Sequence, residues 1–473
     1  MTAAAAPAGR SGFENPAEVV ERALSLSRAD GCMVMVEEGS EVDVRFACNT
    51  TTTNGRRRQR RVVVISIHEH SGGTSVGIAS RGGAPDLEEL VRAAESDAAA
   101  NPPAEDAAAL IDPTVSPSDH SFAEAARLTE LSVLQPVLSG LADHLERARQ
   151  AGHVLAGFAQ HRLDTTYLGT SSGVRRRHEQ PTGCLELVAR ADGGARSSWV
   201  GVGSPWFEDV DVHSLHDRLE RRLAWAERRV DLPAGRYDTV LPPDCTADLM
   251  VCLAWAMSGR DALDGRSAFS APGGKTKIGQ RLARRPFSLW TDPAYPGMEC
   301  APFLATSASS ADVSVFDNGM PLGHTSWVEE GTLRQLAFHR AGGAHAGHPP
   351  AALGDNLILQ LPGASGSVDD LVADVERGLL LTCFWYIREV DPATLLQTGL
   401  TRDGVYLVEH GEVTGAVNNF RFNESPLTIL DRAVAVGTTE RSFGREWSEW
   451  MNRTAMPPVR VGDFNMSTVS PAT

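Results

Sequence analysis

The sequence predicts an α+β fold: an N-terminal α/β domain with a mixed sheet and flanking helices, then a β-rich C-terminal domain with a few helices. Two observations carry this. Runs that are β-branched or alternate in hydropathy recur along the whole chain, whereas helical spacing of apolar residues is confined to a few segments. At 473 residues the chain is also too long for one ordinary core, given roughly 100–200 residues per domain. The expected division is 1–230 and 231–473, with a further boundary near 100–119.

In order, residues 15–28 place Val19, Val20, Ala23, Leu24 and Leu26 at near-helical spacing, giving an amphipathic helix. Segments 33–36, 42–48 and 62–68 read as strands, with polar 49–60, containing Asn54-Gly55, as the turn between two of them. A helix over 86–99 stops before Pro102, since proline cannot continue it. The Pro- and Ala-rich stretch 100–119 lacks periodicity and reads as a surface connection. Helix over 122–152, strands over 154–169 and 184–191, and a charged helix over 213–229 follow. In the second half a strand at 237–241 precedes a helix over 246–258, capped by Asp244 or Thr246. Strand-like runs then occupy 287–290, 311–317, 333–338, 357–361 and 404–410, with a helix over 369–378. No repeat of 20 to 50 residues marks a solenoid.

Composition excludes several classes. With 42% hydrophobic and 22% charged residues the chain is a folding, globular one. A net charge of −16 argues against nucleic acid as a partner, because phosphate binding needs a concentrated cationic surface. The longest apolar stretch, 378–387, is too short to cross a bilayer. No apolar segment follows a charged start as in a signal peptide, so a cytoplasmic location is expected. Seven scattered cysteines without a C-x-x-C pair fit reduced thiols.

Local motifs are weak. Gly73-Thr-Ser75-Val-Gly77 and Gly169-Thr-Ser171-Ser-Gly173 match the nucleophile pattern G-x-S-x-G, but neither joins a strand to a helix as a nucleophile elbow must. Gly274-Lys275-Thr276 lacks the leading glycine of a phosphate loop. His68 and His70 share one strand face, and His345 and His348 lie in a Gly-rich loop; neither pair has a third ligand in view. The 56–61 run, five arginines and Gln59, reads as a solvated strand entrance.

Several longer segments together resemble the TldD/PmbA family: LPAGRYDTVLPPDCTADLM (232–250), GRDALDGRSAFS (259–270), DPAYPGMECAPF (292–303), VFDNGMPLGHTSWVEEGTLRQL (315–336), NLILQLPGASGSVDDLVADVERGLLLT (356–382) and DGVYLVEHGEVTGAVNNFRFNES (403–425). VDVRFACNTTTTNG (42–55) and TTYLGTSSGVRRRHEQPTG (165–183) match it in the first half. The resemblance implies a two-subunit zinc peptidase, whose metal-bearing chain carries His-Glu-x-x-x-His on a helix and a cysteine ligand near its C-terminus. Carried onto this sequence, those helix positions are Cys252, Leu253 and Met257, and no cysteine stands in the tail from Pro457 onward. Methionine is a poor zinc ligand and leucine cannot serve as general base.

The resemblance therefore implies a metal-free, TldE-like chain without catalytic residues of its own. Its zinc would sit in a TldD-like paralogue, the two forming a heterodimer around an unfolded peptide, in turnover or in maturation of peptide precursors. Tyr386, Arg388, Asn419, Arg421 and Asn423 are expected to line the chamber, because their segments mix aromatic and polar groups. Two alternatives remain: a self-sufficient hydrolase using Cys383 with a histidine or the His345/His348 pair, and a non-enzymatic peptide-binding or structural homologue.

Overall fold

A computed structural model describes residues 13–471. Helix α1 (Pro16–Leu26) leads into β1 (Gly31–Ala47), β2 (Thr50–His70) and β3 (Gly73–Gly82). Helix α2 (Leu87–Ala100) follows, with Asp86 as its cap. An irregular connection then reaches α3 (Gln135–Gln150). Strands β4 (Val154–Thr170), β5 (Arg175–Ala191) and β6 (Arg196–Gly203) precede α4 (Val212–Trp225). The six strands form one sheet, in order β3-β2-β1-β4-β5-β6.

Three sequence expectations change here. The sheet is antiparallel at every pairing, not mixed, because tight hairpins join four of its five neighbouring pairs and such hairpins allow only antiparallel neighbours. The turn expected in 49–60 is at Cys48 and Asn49, both with positive φ (49° and 60°), as a two-residue hairpin needs. Tertiary bonds hold Asn49 there: its amide donates to the His153 carbonyl at 2.7 Å and accepts from the Leu155 N–H at 2.5 Å. Asn54-Gly55 instead lies within β2. The helix expected over 122–152 begins only at Gln135, beside Pro136 in its first turn, where the fixed φ of proline suits a helix start.

Period-two alternation gives the sheet two different faces. Val34, Val36, Val62 and Val64 pack under α1 and α2, while Val44, Phe46, Leu155, Ala159, Leu185 and Leu187 pack under α3 and α4. All four helices thus cover one face. On the other, Met33, Met35, Val63 and Ile65 pack on Val315 and Phe316 from the second half. Farther along that face, register aligns Arg45 with Phe158 and Phe158 with Glu186, Gln160 with Cys184, Arg162 with Thr182, and Asp164 with Gln180.

The second half contains a ten-stranded and a six-stranded sheet. The parallel pairings lie here: Gly235–Leu241 beside Arg377–Leu381, Arg229–Val230 beside Glu412–Val417, and Leu357–Gln360 beside Thr454–Met456. Helix α5 (Pro243–Trp255) starts earlier than expected, with Pro242 as N-cap and Pro243 at N1 in place of an Asp244 or Thr246 cap. Its Leu249, Met250 and Leu253 share a core with Leu289 and Trp327 of the smaller sheet and Leu381, Phe422 and Phe464 of the larger one. The helix expected over 369–378 is only Val368–Ala373, because Gly378 enters a strand where a Cβ would stand 2.3 Å from the Asp238 carbonyl oxygen. The run 311–317 is not a strand; it ends in a 3-10 turn, Val315–Asp317, capped by Ser314.

Candidate functional site

Helix α5 is buried along nearly its whole length, as a sequence apolar nearly all round requires. Cys252, Leu253 and Met257 are all buried and belong to the apolar core. The Cys252 thiol donates to the Asp248 carbonyl at 3.4 Å, and burial pushes it up to about 12. Leu253 has no donor atom, and the Met257 thioether faces only core. This set does not fit zinc, which takes deprotonated thiolate, imidazole or carboxylate. Among the described residues no three His, Cys, Asp or Glu side chains group as a metal site requires.

One face of the helix is polar. Asp244 and Asp248 lie one turn apart, and both grip the irregular segment 443–447. The Asp244 carboxyl accepts from the Phe443 N–H at 2.9 Å, and that of Asp248 from the Glu446 N–H at 3.1 Å. The Trp447 indole donates to the Asp248 carbonyl at 3.0 Å. Burial raises both carboxyls above the usual range, Asp248 well above it. Gly444 permits the contact, since a Cβ there would lie 2.5 Å from Asp248 Oδ1.

The gripped segment walls a cleft of about 970 Å3 between the two halves. Its floor is the helix-free face of the first sheet: Arg45, Phe158, Gln160, Arg162, Asp164, Thr182, Cys184 and Glu186. Opposite stand Trp385, Tyr386, Arg388, Arg445, Glu446, Trp447 and Trp450. Arg445 lies over Trp199 at 5.3 Å and Trp385 at 4.9 Å, and donates to Asp403 at 2.7 Å and to Cys383 Sγ at 3.0 Å. Asp403 in turn accepts from Ser197 of β6 at 2.6 Å, tying the halves together. Glu186 accepts from the Trp199 indole at 3.0 Å, and burial raises its carboxyl. A smaller cavity of about 320 Å3, lined by Cys252, Trp255, Glu389, Arg388 and Trp447, shares the last two with the cleft.

Of the expected lining residues, Tyr386 and Arg388 reach the cleft. Asn419, Arg421 and Asn423 do not line it. They belong to Phe420–Glu424 and the residue before it, a strand that pairs with Leu396–Thr401, which alone separates it from Phe384–Asp391. There Asn419 accepts from the Thr401 hydroxyl and Arg421 donates to that of Thr398, both at 3.2 Å, and the Asn423 carbonyl accepts from Asn465. They project from the polar side of a strand whose Phe420 and Phe422 fill the core. Residues 445–450 were missed. Their legible signal is five aromatic or charged residues crowded into Arg-Glu-Trp-Ser-Glu-Trp without helix or strand period.

The local motifs resolve into architecture. Ser75 is fully buried and donates to the Ala98 carbonyl, and Gly77 lets α2 approach so closely that a Cβ would meet its backbone at 2.2 Å. Ser171 accepts from the Cys32 N–H at 3.0 Å. Lys275 lies in a short hairpin. His68 pairs with Asp30 at 3.2 Å, and His348 stacks on Phe338. The arginine run forms a ladder with Glu37, Glu38 and Glu41 across β1 and β2. Cys383 is buried, its thiol pushed up to about 12 by burial, so it offers no ready thiolate.

Fold and site define a strand-rich α+β protein in which the buried helix α5 is a structural strut behind the wall of a large cleft. Residues 234–468 match the family profile described as the PmbA/TldA metallopeptidase C-terminal domain. The chain belongs to the TldD/PmbA family. Its fold is similar to that of TldE from Thermococcus kodakarensis, at TM-score 0.75 and 16% identity, covering 95% of this chain and 98% of that one. A protein from Bacteroides thetaiotaomicron described as a candidate modulator of DNA gyrase matches at TM-score 0.75 and 15% identity, over 96% and 98% of the two chains. A similarly described protein from Thermotoga maritima matches at 0.73 and 17%, over 95% and 99%. No curated protein matches the chain. No helix among the described residues is long and apolar enough to cross a membrane.

Proposed function

We propose that this chain is the subunit without zinc in a cytoplasmic TldD/TldE-type metallopeptidase, and that it holds an unfolded peptide for a zinc-bearing, TldD-like partner. One observation carries the reading: Cys252, Leu253 and Met257, the positions that the family resemblance sets against the zinc motif, are buried, while the same helix braces the wall of a large open cleft. Such a helix supports substrate binding instead of chemistry.

The cleft's make-up favours an extended peptide. The cleft combines the aromatic rings of Phe158, Trp385, Trp447 and Trp450 with arginines and carboxyl groups, so side chains of several kinds find partners while main-chain hydrogen bonding supplies the rest. A narrow specificity is not favoured by this mixture.

Co-expression with a neighbouring paralogue carrying His-Glu-x-x-x-His tests the proposal. We expect a heterodimer with zinc in the partner, peptide cleavage by the pair, and neither bound zinc nor cleavage with this chain alone. One equivalent of tightly held zinc and peptidase activity in the isolated chain would sink it.

A further inference from the structure

We propose that the bulge at 385–388 is a carboxylate-binding nest that captures the free C-terminal carboxylate of a bound peptide, with Glu446 as an internal occupant that the peptide displaces. This rests on the peptide-holding reading above and adds which end of the peptide is recognised.

Strand Phe384–Asp391 is the edge of the ten-stranded sheet and, among the described residues, pairs only with Leu396–Thr401. Its register breaks between Trp385 and Arg388, where Tyr386 takes φ 55°. A left-handed residue within extended chain turns successive N–H groups toward one point, and that arrangement binds anions. Here the Tyr386 and Ile387 N–H groups donate to the Glu446 carboxylate at 2.8 and 3.1 Å, and Arg388 Nη1 donates to it at 3.0 Å. Two backbone donors and one guanidinium on a single carboxylate are the donor set by which peptide C-termini are captured.

Three further features separate this from a fixed structural contact. The backbone of 446 is anchored independently, through its N–H on Asp248, so only the Glu446 side chain must rotate to clear the nest. The nest opens on the cleft, with Trp385, Trp447 and Trp450 beside it for the last side chains of a peptide. Tyr386 is 51% exposed and its ring lies under the Arg388 guanidinium at 4.2 Å, which orients the cation without covering it.

Calorimetric titration of the full chain tests this, using a tryptophan-rich hexapeptide as the free acid, as its C-terminal amide, and as an amide with an internal glutamate. Glu446→Ala empties the nest, and Glu446→Gln keeps its shape while removing the charge. In both variants we expect the acid to bind roughly tenfold more tightly than either amide, and to gain over the wild type; adding Arg388→Ala abolishes the preference. Equal binding of acid and amide in both variants overturns the nest and leaves the peptide reading standing. An internal-glutamate amide that binds as tightly as the acid overturns the assignment to the C-terminus. If no hexapeptide binds any form, the peptide reading fails; N-acetyl-tryptophan against its amide then decides the nest alone, with a free-acid preference supporting it and none refuting it.

Discussion

Two interfaces bury ionisable groups in opposite ways. Where α5 meets 443–447, the buried carboxyls of Asp244 and Asp248 each accept from a backbone N–H. Between α3 and α4, His144 and His216 stack with centroids 4.1 Å apart, and His213 meets His144 edge-on at 4.7 Å. Both His144 nitrogens and Nε2 of His216 are buried without a hydrogen-bond partner among the described residues. The carboxyl junction gains a directional bond from each buried group, whereas the imidazole stack gains packing and, at His216, only a long 3.7 Å approach to Glu220. Burial with partners fixes geometry, and burial without them leaves a site that acid can open.

The largest expected effect breaks the first interface. Asp248→Ala orphans the Glu446 N–H and leaves a cavity, so denaturant unfolding should show a loss of roughly 2–4 kcal/mol. Asp248→Asn keeps the carbonyl acceptor and removes only a charge that burial disfavours; a loss at neutral pH as large as alanine's would show that charge, not the acceptor, matters there.

Acid tests the second. Burial first, then the charges of His216, His213 and Arg147, lower His144 to about 4 from 6.5, with Asp217 opposing; His216 is also lowered, by burial, with Glu220 and Asp217 opposing. The unfolded chain therefore binds protons between these values that the folded chain refuses. This contribution is complete above pH 6.5 and is lost as pH falls toward 4, by roughly 2–3 kcal/mol. His144→Phe keeps the stack and should flatten the slope; an unchanged slope would place the acid sensitivity elsewhere.

Gly444→Ala comes next. Its Cβ would press on Asp248 and cost roughly 1–3 kcal/mol, with Trp447 emission shifting as the wall moves. Trp450 is 66% exposed, so Trp450→Ala should change stability by less than about 0.5 kcal/mol while weakening peptide binding severalfold. A stability loss equal to that of Gly444→Ala would make Trp450 part of the brace rather than of the cleft.

Much of the secondary structure was legible because local chemistry agreed with the tertiary answer. Helix α2 starts within one residue of where the sequence puts it, with Asp86 as its cap, and the alternation in β4 and β5 gives one helix-covered face and one polar face. The misread turn at 49–60 shows the limit: Asn54-Gly55 is the stronger local turn signal, but Asn49 wins through bonds to residues more than a hundred positions away. The same limit applies to the site. Tyr386 and Arg388 were visible as a polar-aromatic mixture, but Asn419, Arg421 and Asn423 carry the same signal and bond among strands instead. Composition cannot tell a cleft wall from a polar sheet face.

What the sequence determined alone is the identity of the residues at 252, 253 and 257, and so that Leu253 and Met257 offer zinc no good donor, because coordination chemistry depends on which atoms a side chain carries. It also determined that α5 is apolar around most of its circumference, which buries it. Only the tertiary structure decided what that helix does instead. Asp248 and Glu446 lie 198 residues apart, and their hydrogen bond exists because two sheets close on α5 and press 443–447 against its single polar face. No local period encodes that contact, so neither the brace nor the cleft it supports could be read before the chain was folded.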